Sequence, residues 1–199
     1  MTNFYTDKQK IINWLDEYEV KNYKLVPDKQ YRFVVNVNGD VNLSDKKLIN
    51  IPVKFSEVKG FFYCSYNKLT SLEFCPQTVE GSFDCSYNKL TSLEFSPQTV
   101  NCNFYCDNNK LTSLEFCSQT VNGSFWCNNN KLNSLEFCTQ TVNGSFNCNN
   151  NIKLKEIQKI TDFKLIYLEH KKILINKFSD KLNNDLNNNE NKKNTKIKI

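Results

Sequence analysis

Between Gly39 and Asn151 the apolar positions recur with a period of 21 residues. At that period the chain falls into blocks starting at Gly39, Gly60, Gly81, Cys102, Gly123 and Gly144. The middle four read GFFYCSYNKLTSLEFCPQTVE, GSFDCSYNKLTSLEFSPQTVN, CNFYCDNNKLTSLEFCSQTVN and GSFWCNNNKLNSLEFCTQTVN. The block GDVNLSDKKLINIPVKFSEVK is a divergent first copy. The block GSFNCNNNIKLKEI takes one extra residue near Ile152 and then leaves the pattern. A period of this length marks a solenoid. One coil cannot bury its apolar face alone, whereas stacked coils bury it against each other.

Each register has a physical task. Phe62, Phe83, Phe104, Phe125 and Phe146 stand two residues before Cys64, Cys85, Cys106, Cys127 and Cys148. Alternation of period 2 places both columns on one face of a short strand. Leu69, Leu90, Leu111 and Leu132, with Leu72, Leu93, Leu114 and Leu135, complete the inward set. Phe74, Phe95, Phe116 and Phe137 are expected to pack the far side, and Val79, Val100, Val121 and Val142 to lead into the next coil. Asn67, Asn88, Asn109, Asn130 and Asn151 follow each cysteine by three residues. An inward Asn there can bond the backbone of a sharp turn, and stacked copies can satisfy each other, as buried polar groups require. These residues form the expected structural ladder.

Solenoid ends expose apolar edges and need caps. Residues 1–38 are expected to cap the N-terminal end. Residues 7–19 read as a helix, with Asp7 as N-cap, Ile11, Leu15 and Tyr18 as its apolar stripe, and Trp14 at the stripe's edge. Tyr23–Leu25 and Tyr31–Val37 read as short strands around a turn at Pro27-Asp28. Residues 39–151 form the solenoid, of five to six coils. Residues 152–182 are expected to cap the C-terminal end, with Phe163–Leu168 a last strand or turn and Lys171–Leu182 a short helix. Residues 183–199, low in complexity and without aromatics, are expected to be disordered. The fold class is a mainly β or α/β solenoid with a parallel sheet on its concave face and an N-terminal helical cap.

Composition narrows the function. The start MTNFYTDKQK has no apolar signal region, and no apolar run is long enough to span a bilayer. The chain carries a net charge of +5, unevenly spread: residues 60–151 hold 4 Lys and 7 acidic groups, whereas residues 152–199 hold 12 Lys and 6 acidic groups. A mildly acidic body disfavours nucleic acid as the solenoid's ligand. The nine cysteines follow the repeat, with Ser96 replacing one of a second column that includes Cys75, Cys117 and Cys138; Cys102 alone falls in neither. A place that accepts Cys or Ser needs a small side chain, so reduced, buried thiols are expected rather than a disulfide scaffold. No zinc-type spacing accompanies the one histidine, His170, and no metal or other cofactor is expected.

The string F-x-C-x-x-N-x-L-x-x-L resembles the leucine-rich-repeat core L-x-L-x-x-N-x-L, with Phe and Cys in place of two leucines. The short period and the Pro76 and Pro97 places resemble the short repeats of bacterial effectors. The chain is most similar to small standalone leucine-rich-repeat proteins of tailed bacteriophages. These carry a similar start, here IINWLDEYEVKNY and VNVNGDVNLSDKKLINIPVKF, and coils of the type FDCSYNKLTSLE. The resemblance implies a leucine-rich-repeat fold without a settled activity, and a setting in the host-cell cytoplasm. Two places depart from the pattern. The apolar residue before Phe83 is Val79, four places back rather than three, and the first coil has Lys46 where the asparagine belongs.

Enzyme motifs are absent: no P-loop or dinucleotide glycine pattern occurs, and His170 lacks a companion nucleophile in any known motif. Function is expected where the coils differ. The residue between Phe and Cys points outward and reads Asn42, Tyr63, Asp84, Tyr105, Trp126 and Asn147. Coils about 5 Å apart make Tyr63, Asp84, Tyr105 and Trp126 a row about 15 Å long. Contiguous exposed aromatics suit a protein-binding face. A non-catalytic protein-binding module is therefore expected. The alternative is a structural or assembly component of a virus particle that uses its ends or convex face. Its presence in purified particles would separate the two.

Overall fold

The computed structural model describes residues 4–135, 138–139, 141–151, 168, 171–173 and 175–182. The chain is a β-solenoid of about five stacked turns with an N-terminal helix. Helix α1 spans Lys8–Glu17. Asp7 caps it, its carboxylate accepting from the Lys10 N–H at 2.9 Å. Hairpin strands β1 (Tyr23–Asp28) and β2 (Arg32–Val37) follow, paired antiparallel. The turn lies beyond the expected Pro27-Asp28, because Asp28 accepts from the Gln30 and Tyr31 N–H groups, both at 2.8 Å. The expected strand Tyr23–Leu25 is thus only the first half of β1.

Each coil contributes two short strands to two parallel sheets. The expected sheet comprises β3 (Val41–Asn42), β5 (Phe62–Tyr63), β7 (Phe83–Asp84), β9 (Phe104–Tyr105), β11 (Phe125–Trp126) and β13 (Phe146–Asn147). The second comprises β4 (Phe55–Val58), β6 (Thr78–Val79), β8 (Thr99–Val100), β10 (Thr120–Val121) and β12 (Thr141–Val142), and β2 extends it by pairing parallel with β4. The four-residue step from Val79 to Phe83 follows from this second sheet. Val79 ends β6, and Glu80–Ser82 turn the corner before β7. The capping hairpin is therefore part of the sheet it protects, which leaves no bare edge beside β4.

The glycine column lets successive corners approach closely. A Cβ on Gly81 would stand 2.6 Å from the carbonyl carbon and oxygen of Gly60, closer than side chains tolerate. Successive corners are joined by Gly60 N–H to Gly39 O and Gly81 N–H to Gly60 O, both at 2.9 Å. Position 102 holds Cys instead, and its N–H reaches Gly81 O at 3.3 Å.

The interior follows the registers. Phe62, Phe83, Phe104 and Phe125 are fully buried, as are Cys64, Cys85, Cys106 and Cys127. The phenylalanine rings form a continuous stack with centroids 5.3–5.9 Å apart from Phe62 to Phe146. The stack continues through Phe55, 5.2 Å from Phe62, to Trp14, 6.4 Å from Phe55. Trp14 is consequently buried rather than at the edge of the helix stripe: it closes the end of the aromatic column.

Two further expectations are corrected. Phe74 is buried, but Phe95 and Phe116 are about half exposed and do not pack the far side; Phe137 lies outside the described residues. Leu168 is helical and exposed, not part of a last strand, while 163–167 lie outside the described residues. Within 171–182 every described residue is helical. Ile173 packs against the core, while Ile175, Phe178 and Leu182 are exposed. The tail at 183–199 lies outside the described residues. No helix among them is long and apolar enough to cross a membrane.

Candidate protein-binding face

The outward residues of the six-stranded sheet align in register. Asn42 pairs with Tyr63, Tyr63 with Asp84, Asp84 with Tyr105, Tyr105 with Trp126, and Trp126 with Asn147. The alternation that buries Phe and Cys turns these side chains away from the core. Trp126 is 41% exposed, whereas Tyr63, Asp84 and Tyr105 are half-buried. The row is two aromatic clusters flanking an acid. Phe61 stacks on Tyr63 at 4.1 Å, and Tyr105 meets Trp126 edge-on at 5.2 Å. Between them, Asp84 accepts from the Ser86 N–H at 2.9 Å and the Ser86 hydroxyl at 2.6 Å, which fixes its carboxylate.

The neighbouring columns are less available. Ser65, Ser82, Ser86 and Asp107 are buried. Ser65 and Ser82 act as coil-to-coil ties: the Ser44 and Ser65 hydroxyls meet at 3.0 Å, and the Ser82 hydroxyl accepts from the Asn103 N–H at 3.3 Å. Burial raises the Asp107 pKa above the usual carboxylate value, and Asp84 adds to the rise. Desolvation likewise raises the Tyr105 phenol, with Tyr63, Asp84 and Asp107 contributing.

One exposed pair is invisible in the period-2 reading. Tyr66 and Tyr87 stack face to face at 4.3 Å, with φ of +54° and +51°. They occupy the turn just after the strand, where Asn108, Asn129 and Asn150 have the same left-handed backbone. Those asparagines mark the place as a turn, since Asn tolerates that conformation. The outward direction of the tyrosines follows only from the folded backbone.

Behind the face, the asparagine ladder holds the turns. Asn88 accepts from the Leu69 N–H at 3.0 Å and donates to Cys64 O, Cys85 O and Ser86 O at 2.9, 3.2 and 3.1 Å. Asn67, Asn109, Asn130 and Asn151 likewise donate to the preceding coil, through Leu43 O, Cys85 O, Cys106 O and Cys127 O. Asn67 also reaches past the substitution at Lys46, because it accepts from the Lys46 and Leu48 N–H groups rather than from a side chain. Each asparagine thus cross-links two coils, with its amide oxygen accepting and its amide nitrogen donating.

The cysteines are free thiols, all buried except Cys102. Burial pushes the thiols of Cys85, Cys106, Cys127 and Cys138 well up, and that of Cys117 to about 12. Such thiols are poor nucleophiles, because the thiolate is the reactive form. Among the described residues, no group of three or more His, Cys, Asp or Glu is placed to hold a metal ion. The chain matches no family model, no curated protein and no solved structure in the comparisons made.

Proposed function

We propose that this protein is a non-catalytic binding module of the leucine-rich-repeat type. Its ligand is a protein partner held on the outer face of the six-stranded sheet, through Tyr63, Asp84, Tyr105 and Trp126. The observation that carries the reading is the in-register row itself, which brings Tyr105 and Trp126 into edge contact beside the fixed Asp84 carboxylate. Aromatic side chains offer large contact area at low entropic cost, and an ordered acid adds orientation. The resemblance of the coils to small leucine-rich-repeat proteins of tailed bacteriophages extends the proposal to a phage protein acting in the host-cell cytoplasm. Eight buried free thiols suit a reducing compartment.

The test is affinity capture from host extract with wild type and a Tyr105→Ala/Trp126→Ala variant. The expected result is a protein retained by wild type and lost from the variant. Equal recovery of every protein by both would sink the assignment to this face.

A further inference from the structure

Phe74, Phe95 and Phe116 fill one place in three successive coils, with φ of +73°, +67° and +69°. A bulky L-residue is disfavoured there because its Cβ crowds the following carbonyl. The other left-handed place in the coil shows the cheaper solution: Tyr66 and Tyr87 give way to Asn108, Asn129 and Asn150. The turn therefore does not require phenylalanine. Nor does the core, since Phe95 is 51% and Phe116 49% exposed, against 3% for Phe74.

What differs is the cover. Phe4 lies 5.2 Å from the Phe74 ring, and Tyr31 meets it edge-on at 5.9 Å. The covering segment is tied down by the Tyr5 N–H, which donates to Pro52 O at 2.7 Å. A cation completes the arrangement. The Lys54 ammonium sits 6.0 Å from the Tyr31 ring and donates at 2.8 Å to the carbonyl of Cys75, the residue that follows Phe74. One and two coils on, the Lys54 place holds Cys75 and Ser96, so the cation is missing. The acids remain: Glu94 and Glu115 are exposed and immediately precede Phe95 and Phe116. Among the described residues no side chain bonds to either carboxylate.

We propose that the Phe95–Phe116 row docks an extended segment of a protein partner that carries aromatic residues beside lysine or arginine. The segment's rings sit on the row as Phe4 and Tyr31 sit on Phe74, and its cations take the place beside Glu94 and Glu115 that Lys54 does not reach. This surface lies on the turns before the seven-stranded sheet, apart from the row of Tyr105 and Trp126. It is a second site, independent of the function proposed above.

The probe is a fluorescein-labelled peptide with a Lys-Phe-Tyr-Lys core, titrated against the full chain and read by anisotropy. Saturable binding is expected, weakened at least about tenfold in a Phe95→Asn/Phe116→Asn variant. Weakening is also expected in Glu94→Gln/Glu115→Gln, and no change in Tyr105→Ala/Trp126→Ala. Asparagine suits the left-handed turn, so the first variant should keep its melting temperature, separating a binding role from a folding one. Absence of saturable binding to wild type, or equal binding by the Asn variant, overturns the proposal. So does a wild type that sediments as a dimer while the Asn variant is a monomer, since the row then belongs to a second copy.

Discussion

The Cys102 N–H reaches Gly81 O at 3.3 Å, whereas the Gly123 N–H reaches Cys102 O at 2.9 Å. The corner carrying a Cβ is the one whose bond to the preceding coil is stretched. Glycine in this column lets neighbouring corners pack at their closest, and Cys102 is accommodated by a longer bond. A Gly81→Ala variant is expected to lose about 1–3 kcal/mol, the cost of forcing atoms into a close-packed site. Urea denaturation measures it, and an unchanged midpoint would show that the corners yield freely.

Asn88 serves four backbone groups from two coils. Its replacement by Ala leaves them buried without partners, each at about 1–3 kcal/mol before relaxation. An Asn88→Ala variant should therefore lose about 3 kcal/mol. Asn88→Asp keeps the shape and one acceptor but loses the amide donors. Burial would raise that carboxyl's pKa above its unfolded value, so the variant should be least impaired at acid pH and weaken as pH rises. Thermal melts of both variants across pH check the size and the sign.

Asp107 poses the same linkage in the native chain. Its pKa is raised, first by burial, so the folded state holds the proton more tightly than the unfolded state does. Stability from this group is present below the unfolded carboxylate value and is lost as pH rises through the folded one. Asn128 and Asn149 fill the same column in later coils, so asparagine fits. An Asp107→Asn variant is expected to melt higher than wild type at pH 7, and the gap should close toward pH 4, near the unfolded carboxylate value.

Cys102 is the one exposed thiol of nine. Iodoacetamide should modify a single cysteine in the native chain, identified by peptide mapping as Cys102, and all nine after unfolding. Rapid native labelling within the Cys64–Cys148 column would mean that the coils open readily.

Much of the stack was legible because the repeat states each packing decision several times. A lone Phe-x-Cys is ambiguous, but five copies at one spacing, each followed by Asn and four of them by Leu in register, leave a single periodic interior. The outward row was legible for the same reason, since alternation in a strand determines which face a residue takes. The second parallel sheet was not: Thr-Val pairs are too short to show a period, and strand pairing there depends on the neighbouring coil. The Tyr66–Tyr87 stack was hidden as well, because a left-handed turn redirects side chains in a way alternation does not describe.

By itself the sequence determined the coil length, the Phe-Cys-Asn-Leu interior, the capping helix and the in-register aromatic row, all of which follow from local spacing. Only the tertiary structure decided which identical residues share a fate. Phe74 is covered and Phe95 and Phe116 are not, because Phe4 and Tyr31 reach one coil and no further. Burial belongs to a residue's neighbours, and a repeat gives its copies equal sequences but unequal neighbours.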